Sequence, residues 1–466
     1  MSLSSVLNTA QSSLTNTSRQ TNVVSRNITN AYNTDYTRRQ AVLASTAPGA
    51  RVVSITRAAD AALMRQNSDA LSVWHAQNTL MTGFERLSLS VNGVDNATSP
   101  AMRMGELQTA LQTYSASPGD RSLAVNVVNS AGDVVRALNG GTQAIQQLRT
   151  DADVEIKQSV DKLNSLLADL EKINTDVMTA TRLGRDASES LDLRDGIVKQ
   201  ISELVPVTTQ LRGDGDMVIF TEDGVTLFET VARKAAFEAS PMLLAGQSGN
   251  QVYIDGVPLA SGQGGDTDAG GSIAGLLQLR DSVATQMQTQ LDEMAHALVE
   301  EMRQATGDDG LFTWATGTTP ANQGASTLVV NAAYKADPLA IRDGTTGTLN
   351  PDANAGFTAE IERLMDAFDA NRTFSADGGI EGAKTLSTYA SASISWLENL
   401  RQLSSTAAEK KSATLARTSE ALSNKSGVNI DDELAKLLEL EQSDAASAKL
   451  MQVANDMLST LMATVR

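Results

Sequence analysis

The chain contains no cysteine, which excludes disulfide bonds, thiolate metal sites and a cysteine nucleophile. Aromatic residues make up only 4% of its 466 residues, a composition that favours long helices packed by aliphatic side chains over a compact enzyme core. No apolar run approaches the ~18 residues that a membrane span needs. The N-terminus also lacks the basic segment and apolar core of a cleaved secretory signal. If the protein leaves the cell, we expect it to use another route.

Clustered basic residues are also scarce. The 37 Lys and Arg residues are outnumbered by 55 Asp and Glu residues, so the formal net charge is −18. The longest basic clusters are the pairs Arg38-Arg39 and Lys410-Lys411, whereas nucleic acids and anionic membranes require a basic face. We therefore expect neither partner, and we interpret the acidic balance as one that keeps a self-associating protein soluble.

Candidate catalytic and metal-binding groups are sparse. The two histidines, His75 and His296, lie neither in an H-E-x-x-H motif nor near a G-x-S-x-G motif. The Gly-rich stretch 262–271 lacks the Lys-Ser/Thr that follows in a phosphate-binding loop. Three acidic loops do not match a calcium-binding loop and are interpreted as solvated turns: Asp214/Asp216, Asp266/Asp268 and Asp308/Asp309. The sequence therefore predicts no enzyme, no cofactor and no metal site.

What the chain does contain is a helical stripe at each end. Both stripes follow alternating steps of four and three, the spacing of a coiled-coil seam that packs on another helix. The N-terminal seam is formed by Leu3, Leu7, Ala10, Leu14, Thr17, Thr21, Val24, Ile28 and Ala31. The C-terminal seam is formed by Ile430, Leu434, Leu437, Ala448, Met451, Leu458, Met462 and Val465, with Glu441, Asp444 and Asn455 in the gaps. We expect the ends to pack on each other or on copies of the chain, as in a building block rather than a catalyst.

The predicted fold class is mainly α with β insertions (α+β). It combines paired N- and C-terminal helices, a helical-bundle middle domain, a small antiparallel β insertion and an irregular outer region. The predicted domains are the terminal helices (1–34 and 427–466), a helical rod domain (35–205, 272–305 and 385–426), the β-rich insertion (206–271) and a small outer region (306–384).

Several local features support this outline. Residues 35–60 read as an extended or irregular link, and two shorter helices flank Pro118-Gly119, the second capped by Asp120. The clearest interior helix runs over roughly 142–180, where Asn174 occupies a seam position and is expected to set the register.

The β-rich runs are separated by turn signals at Gly213-Asp214-Gly215, Asp223-Gly224 and Asp255-Gly256. The Gly-rich stretch 261–271 is predicted to be a flexible tip or a return loop. A helix is expected from Ile273 to about Ala305, and the last helical region is expected to break at Ser426-Gly427.

Four segments carry a family resemblance. The opening S-S-V-L-N-T-A-Q-S-S-L (4–14) with N-I-T-N-A-Y-N-T-D-Y-T-R-R-Q (27–40), and the closing G-V-N-I-D-D-E-L-A-K-L-L-E-L-E-Q (427–442) and beyond, resemble the ends of bacterial flagellar axial proteins. The interior L-D-L-R-D-G-I-V-K-Q-I-S-E-L-V (191–205) and G-S-I-A-G-L-L-Q-L-R-D (271–281) resemble the hook-associated branch of that family. The residues that match its motifs are Asn27, Asn30, Tyr36, Arg39, Gln40, Arg194 and Asp195. Asp35 stands where the family usually has glycine.

The resemblance implies a structural component at the junction between hook and filament. It implies export by the flagellar type III route without a cleaved signal, and a place outside the cell in the flagellum. The implied partners are copies of the chain, the hook protein, a second junction protein at the filament base, and a cytosolic chaperone that covers the C-terminal seam. Residues 306–384 are short for the family, so the outer domain is expected to be reduced.

Two other interpretations remain open at this point. Beside the junction component, the first alternative is another axial protein of the flagellin or hook type. The second is a secreted adhesin or enzyme on a helical stalk. In the second case the active part is 206–271 or 306–384, although neither segment contains a catalytic constellation.

Overall fold

The computed structural model describes residues 3–46, 49–243, 245–319 and 323–464, without the side chains of Leu3, Thr46 and Gly49. Val465 of the predicted C-terminal seam lies outside the described residues. The helices are α1 (Leu3–Thr29), α2 (Ala61–Leu87), α3 (Pro100–Ala116), α4 (Arg121–Arg182), α5 (Ser188–Leu204), α6 (Ser272–Gln278), α7 (Ala284–Glu301), α8 (Ala332–Ala336), α9 (Ala340–Asp343), α10 (Ala359–Asp369), α11 (Leu386–Ser426) and α12 (Ile430–Thr464). Within the described ranges, none of the helices is both long and apolar enough for a membrane span.

The strands form five small antiparallel sheets in the described part of the chain. They are the hairpin β1 (Arg39–Thr46) and β2 (Gly49–Arg57); the four-stranded sheet β3 (Val207–Leu211), β4 (Met217–Thr221), β5 (Thr226–Glu229) and β6 (Val231–Ala232); the three-stranded sheet β7 (Ala235–Ala236), β8 (Tyr253–Ile254) and β9 (Val257–Pro258); and the hairpins β10 (Phe312–Trp314) with β11 (Leu328–Val330) and β12 (Arg372–Thr373) with β13 (Ala383–Lys384). The predicted fold class, mainly α with β insertions, is confirmed.

Most of the predicted chain reversals are also present. Helix α1 ends at Thr29, and α11 and α12 are separated at Ser426-Gly427 as predicted. Each predicted turn in the β insertion contains at least one residue with a positive φ angle, such as Asp214 at 59° and Gly256 at 81°. The link over 35–60 is more ordered than expected, because β1 and β2 pair along their length with a bulge after Val42.

Helix α4 is longer than the sequence predicted. Asp120 caps it, since its side chain accepts a hydrogen bond from the Ser122 N–H at 2.8 Å. The helix then continues for 62 residues, about 93 Å at 1.5 Å per residue. The prediction of a separate helix before residue 142 was wrong. The glycine pair Gly140-Gly141 lies inside α4, and a Cβ on Gly141 would come within 2.9 Å of Leu291 Cδ1. The second glycine therefore permits close helix packing.

Two hydrophobic cores lie along α4. Residues of its first half, through Leu148, share a core with α2, α3, α7 and α11. Residues of its second half, from Ala152, share a core with α5, α6 and the sheets of the β insertion. A buried residue every three or four positions gives α4 one continuous apolar stripe, which explains why the helix persists across both cores.

The segment 306–384 packs on the first core rather than projecting as irregular loops. Its described residues include the α-helices α8 to α10 and the hairpins β10–β11 and β12–β13. Phe312, Tyr334 and Phe368 from this segment are buried in the same cluster as the α4 stripe. The division of the chain into domains stays a prediction, but this segment has an apolar face that the rod helices cover.

The Gly-rich stretch 261–271 is a packed return loop and not a flexible tip. The buried Gln77 side chain of α2 donates to Gly265 O at 2.7 Å and accepts from the Thr267 N–H at 3.1 Å. Lys411 of α11 forms an ion pair with Asp266 at 2.8 Å. A Cβ on Gly265 would lie 2.7 Å from Leu400 O. Glycine is therefore needed here for close approach to α11, a requirement that looks like flexibility in the sequence.

The two glycines of α4 allow a matched test. Gly140 is exposed and a Cβ there would meet nothing within 4 Å, so Gly140→Ala is expected to raise the free energy of unfolding by about 0.5–1 kcal/mol. Gly141→Ala has the same helix-propensity gain, but its methyl group would press on Leu291 and Val91. For Gly141→Ala we therefore expect either no change or a decrease in the free energy of unfolding. Chemical denaturation followed by circular dichroism measures both. Equal stabilisation by the two changes would contradict the close packing at Gly141.

Candidate functional site

The terminal helices α1 and α12 lie side by side and antiparallel. The hydroxyl oxygens of Ser13 in α1 and Ser447 in α12 are 2.7 Å apart. Beyond the end of α1, the Arg38 N–H donates to Ser426 O at 2.7 Å, just before α12 begins. The C-terminal end of α1 therefore lies near the N-terminal end of α12, so the two helices run in opposite directions. The expectation that the two ends pack on each other is confirmed.

The predicted N-terminal seam is the covered side of α1. Ala10, Thr17 and Val24 are buried. The remaining described seam positions are half-buried: Leu7, Leu14, Thr21, Ile28 and Ala31. The side chain of Leu3 lies outside the described part. The sequence thus identified the face of α1 that packs, while the role of these residues in assembly between molecules stays a prediction.

Helix α12 packs on α1 through a set of residues that coincides only in part with the predicted one. Its buried positions are spaced seven apart: Glu433, Leu440, Ser447 and Ala454. Among the predicted seam residues, Leu437 and Met451 are half-buried between these positions, and Ile430 is half-buried at the start of the helix. The others, Leu434, Ala448, Leu458 and Met462, are exposed. They do not belong to the α1 contact, so they stay available to a partner molecule.

The exposed side of α12 carries the larger apolar side chains. Leu450, Val453, Met457 and Leu461 follow each other at steps of three and four. They expose 53%, 45%, 56% and 55% of their surface, respectively. We call these four residues the outer stripe. A contiguous exposed apolar stripe of this kind is typical of an interaction surface.

Two buried asparagines of α1 hold the β1–β2 hairpin. Asn27 is fully buried; its amide donates to Arg39 O at 2.9 Å, and its side-chain oxygen accepts from the Arg39 N–H at 3.0 Å. The Tyr36 hydroxyl donates to the same oxygen at 2.8 Å. Three turns earlier, Asn16 donates to Ala50 O and accepts from the Val52 N–H at 3.0 Å. Asn27 therefore pairs with backbone groups of β1 and Asn16 with backbone groups of β2, as a neighbouring strand would.

The hairpin is joined to α5 by four buried or nearly buried charges, which we call the root network. Arg57 pairs with Asp192 at 2.8 Å and with Asp195 at 2.5 Å. Arg39 pairs with Asp192 at 3.3 Å. The Thr37 N–H also donates to Asp192 at 3.3 Å. The two stretches that carried the family resemblance, 27–40 and 191–205, therefore meet in space.

Burial sets the electrostatics of this region. It raises the pKa of Asp195, and the neighbouring Arg57 and Arg194 oppose that shift. Burial likewise raises the pKa of Tyr36, opposed by Arg39, whose guanidinium lies 5.0 Å from the ring centroid. Removing one partner of such a buried pair leaves a costly unpaired charge. The root network therefore fixes one arrangement of hairpin and α5.

Arg194 points to the other side of α5, toward the β insertion. It donates to Gly215 O at 2.6 Å and to the Asn174 side chain at 3.1 Å. Asn174 in turn donates to Asp216 at 2.7 Å and accepts from the Met217 N–H at 3.0 Å. Asn174 lies on the buried stripe of α4 as predicted, and its side chain anchors a turn of the β insertion to α4. Its role in setting the register stays a prediction.

The remaining motif residues lie outside the root network. Asn30 donates to Arg26 O of its own helix at 2.9 Å, and Gln40 is exposed on β1. Asp35 is exposed and 3.7 Å from Lys199, and its φ is not positive. A glycine is therefore not required at this turn. Sequence reasoning missed Asn16, Arg57 and Asp192. Asp192 could have been found, because it lies inside the L-D-L-R-D run that carried the resemblance. Asn16 and Arg57 are single polar residues in polar segments, and no sequence pattern distinguishes them.

The rejected catalytic candidates occupy structural positions. His75 contacts the Trp74 ring edge-on at 4.8 Å, and His296 contacts Trp314 at 5.0 Å. The acidic loops contact neighbouring protein groups: Asp214 with Arg182, Asp216 with Asn174, Asp266 with Lys411 and Asp308 with Thr306. In the residues that the structure describes, no three His, Cys, Asp or Glu side chains are grouped as metal ligands.

Comparison with known families agrees with this architecture. Residues 88–309 match the family model described as flagellar hook-associated protein FlgK helical domain. Residues 419–464, which include all of α12, match the model described as flagellar basal body rod FlgEFG protein C-terminal.

Individual proteins are similar as well. Flagellar hook-associated protein 1 of Escherichia coli (strain K12) is 22% identical over 98% of this chain and 99% of its own length. The protein of the same name from Salmonella typhimurium is 24% identical over 64% of this chain, and the match spans 56% of that relative. The solved structure of the flagellar hook junction protein FlgK from Burkholderia pseudomallei has 20% identity and a TM-score of 0.44, covering 54% of this chain and 47% of that one.

Both family models describe structural proteins of the bacterial flagellum. The chain is therefore similar to flagellar hook-associated protein 1 over nearly its whole length, and its middle and its C-terminal helix match models of flagellar proteins.

Asn27 offers a direct test of the hairpin anchor. Asn27→Ala removes three buried hydrogen bonds and leaves the Arg39 backbone groups unpaired, so we expect a loss of about 1–3 kcal/mol in local stability. Amide hydrogen exchange of Arg39 and its neighbours in β1 should accelerate. Asn30→Ala is the matched control, since that side chain bonds only within α1 in the described contacts. If the two variants exchange alike, Asn27 does not anchor the hairpin.

Proposed function

We propose that this protein is a structural component of the bacterial flagellum that forms the junction between hook and filament. The observation that carries the proposal is the arrangement of α12, which uses one side to pack on α1 and presents the outer stripe on another. A subunit with a helix pair at its ends and a free apolar stripe has what it needs to pack on identical subunits. The similarity to flagellar hook-associated protein 1 supports the same role.

The proposed partners follow from the same surfaces. Copies of the chain and the neighbouring axial proteins, the hook protein on one side and a second junction protein at the filament base on the other, would contact the terminal pair. A cytosolic export chaperone would cover the outer stripe before assembly, because an exposed apolar stripe promotes aggregation. We propose export by the flagellar type III route, a place outside the cell, and no enzymatic activity.

The function can be tested by deletion of the gene in its own organism. We expect cells that keep their hooks but lack attached filaments, secrete flagellin into the medium and do not swim. Expression of the full chain should restore attached filaments, as seen by electron microscopy. Filaments that remain attached in the deletion strain would contradict the junction role, and loss of the hooks themselves would point to another axial component.

The outer stripe allows a more specific prediction. Val453→Asp together with Met457→Asp places two charges on the stripe, so we expect attached filaments to be lost. The secondary structure of the purified chain should be unchanged, because both side chains are exposed. Gln452→Asp with Ser459→Asp is the control, since it adds the same charges at exposed positions away from the stripe. Normal filaments with the Val453/Met457 variant would exclude the stripe as an assembly surface.

A further inference from the structure

The two interior runs that carried the family resemblance share the pattern L-x-L-R-D. Residues 191–195 (L-D-L-R-D) lie in α5, and residues 277–281 (L-Q-L-R-D) span the end of α6 and the π-helical turn that joins it to α7. The arginine of each run is buried, with 2% of Arg194 and 0% of Arg280 exposed. Arginine is almost never fully buried unless it is paired, so each of these side chains needs specific partners.

The partners of Arg194 are one polar side chain of α4 and one turn of the β insertion. Arg194 donates to the Asn174 side chain at 3.1 Å and to Gly215 O at 2.6 Å. The same Asn174 oxygen accepts a hydrogen bond from the Met217 N–H at 3.0 Å. The arginine of α5 therefore lies between a side chain of α4 and a backbone carbonyl of the insertion, and the α4 side chain also binds a backbone N–H of the insertion.

Arg280 repeats this arrangement at a second place on α4. It donates to the Asp153 carboxylate of α4 and, at 2.7 Å, to Asn250 O in the segment between β7 and β8. Asp153 in turn accepts a hydrogen bond from the Ser240 N–H at 2.7 Å. We call Arg194 with Asn174 the first arginine clamp and Arg280 with Asp153 the second arginine clamp. In both clamps the β insertion contributes backbone groups.

The surroundings of the second clamp are built for this contact. Asp281 of the same run accepts from the Gly249 N–H at 2.9 Å, and the buried Arg149 of α4 donates to Gln247 O and, at 3.1 Å, to Arg280 O. A Cβ on Gly249 would come within 2.6 Å of the Arg280 guanidinium carbon. Two guanidinium groups and two carboxylates thus surround the backbone of one segment of the β insertion.

The spacing of the clamps along α4 gives them a joint effect. Asp153 and Asn174 are 21 residues apart in one continuous helix, about 31 Å at 1.5 Å per residue. The apolar contacts of the second core tolerate sliding, whereas the planar fork of a paired arginine has one good geometry. A body held at one point can still turn about that point, but two separated points fix its angle.

We propose that the two L-x-L-R-D runs are two instances of one positioning device, which holds the β insertion at a single angle to α4. The insertion then moves with α4 as one rigid body and not as an independent domain. The arginines of the two runs are positioning residues inside the subunit, so their effect on any contact between molecules is indirect.

The first experiment measures the angle through a distance. Because the chain has no cysteine, Gln158→Cys on α4 and Asp223→Cys in the turn between β4 and β5 introduce two unique labelling sites, both exposed. Electron paramagnetic resonance on spin labels at these sites reports the distribution of distances between α4 and the insertion in the full chain.

The variant to compare is Arg194→Lys with Arg280→Lys, since lysine cannot reproduce the fork of either clamp. We expect its distance distribution to be at least twofold wider than that of the labelled parent chain. Arg182→Lys with Arg212→Lys is the matched control, because these arginines form exposed ion pairs with the β insertion or within it. The control should keep the narrow distribution. Equal widths in the two double variants would overturn the proposal.

The second experiment separates the clamps by amide hydrogen exchange. Arg280→Lys alone should accelerate exchange of the Ser240 N–H about tenfold and leave the Met217 N–H unchanged, and Arg194→Lys alone should do the reverse, in line with the loss of a hydrogen bond to a charged group. Unchanged exchange in the first core shows that a variant is folded. If each single change loosens both sites, or neither, the clamps are not separate anchors and the proposal fails. These single variants decide the question if the double variant does not fold.

Discussion

The continuous apolar stripe of α4 is the constraint on which the rest of the structure depends. A helix of 62 residues gains its stability from tertiary packing rather than from propensity, so both sides of the molecule must supply apolar partners along its whole length. The first core supplies them from α3, α7 and the segment 306–384, and the second from α5, α6 and the β insertion. Insertions that look separate in the sequence therefore cover the apolar stripe of α4 and shield it from water.

The terminal pair is attached to this scaffold by polar contacts instead. Asn16 and Asn27 hold the backbone of the hairpin, and Arg57 with Asp192 joins the hairpin to α5. Apolar contacts tolerate sliding, whereas a bidentate amide or a buried ion pair has one good geometry. Buried charges add little net stability because of their desolvation cost. What this region provides is a defined angle between the terminal helices and the rod, which a subunit of a regular assembly needs.

Much of this architecture could be predicted from the sequence, and the failures have physical causes. The heptad spacing of α1, the cap at Asp120 and the turn at Asp255-Gly256 are local signals, and each is present in the structure. The segment 261–271 was predicted to be a flexible tip or a return loop, and the sequence could not decide between them because glycine serves both flexibility and close approach. The position of α11 decides for the packed return loop. The buried position of Asn174 was predicted, but its partner Asp216 could not be, because it lies 42 residues away in the sequence. The root network could not be predicted, since its charges come from segments that no local pattern connects.

The C-terminal helix shows why a pattern can be found correctly and still be assigned to the wrong contact. Large apolar residues mark where burial yields the most free energy, so a search for a seam selects Leu434 and Leu458 over Glu433 and Ser447. In the folded chain the buried positions of α12 include Glu433 and Ser447, and the predicted Ile430, Leu437 and Met451 are half-buried beside them. The apolar residues of the outer stripe contribute little to the stability of the single chain while they are exposed to solvent. The exposed stripe is the surface through which the proposed assembly would add a second packing contact, made between molecules.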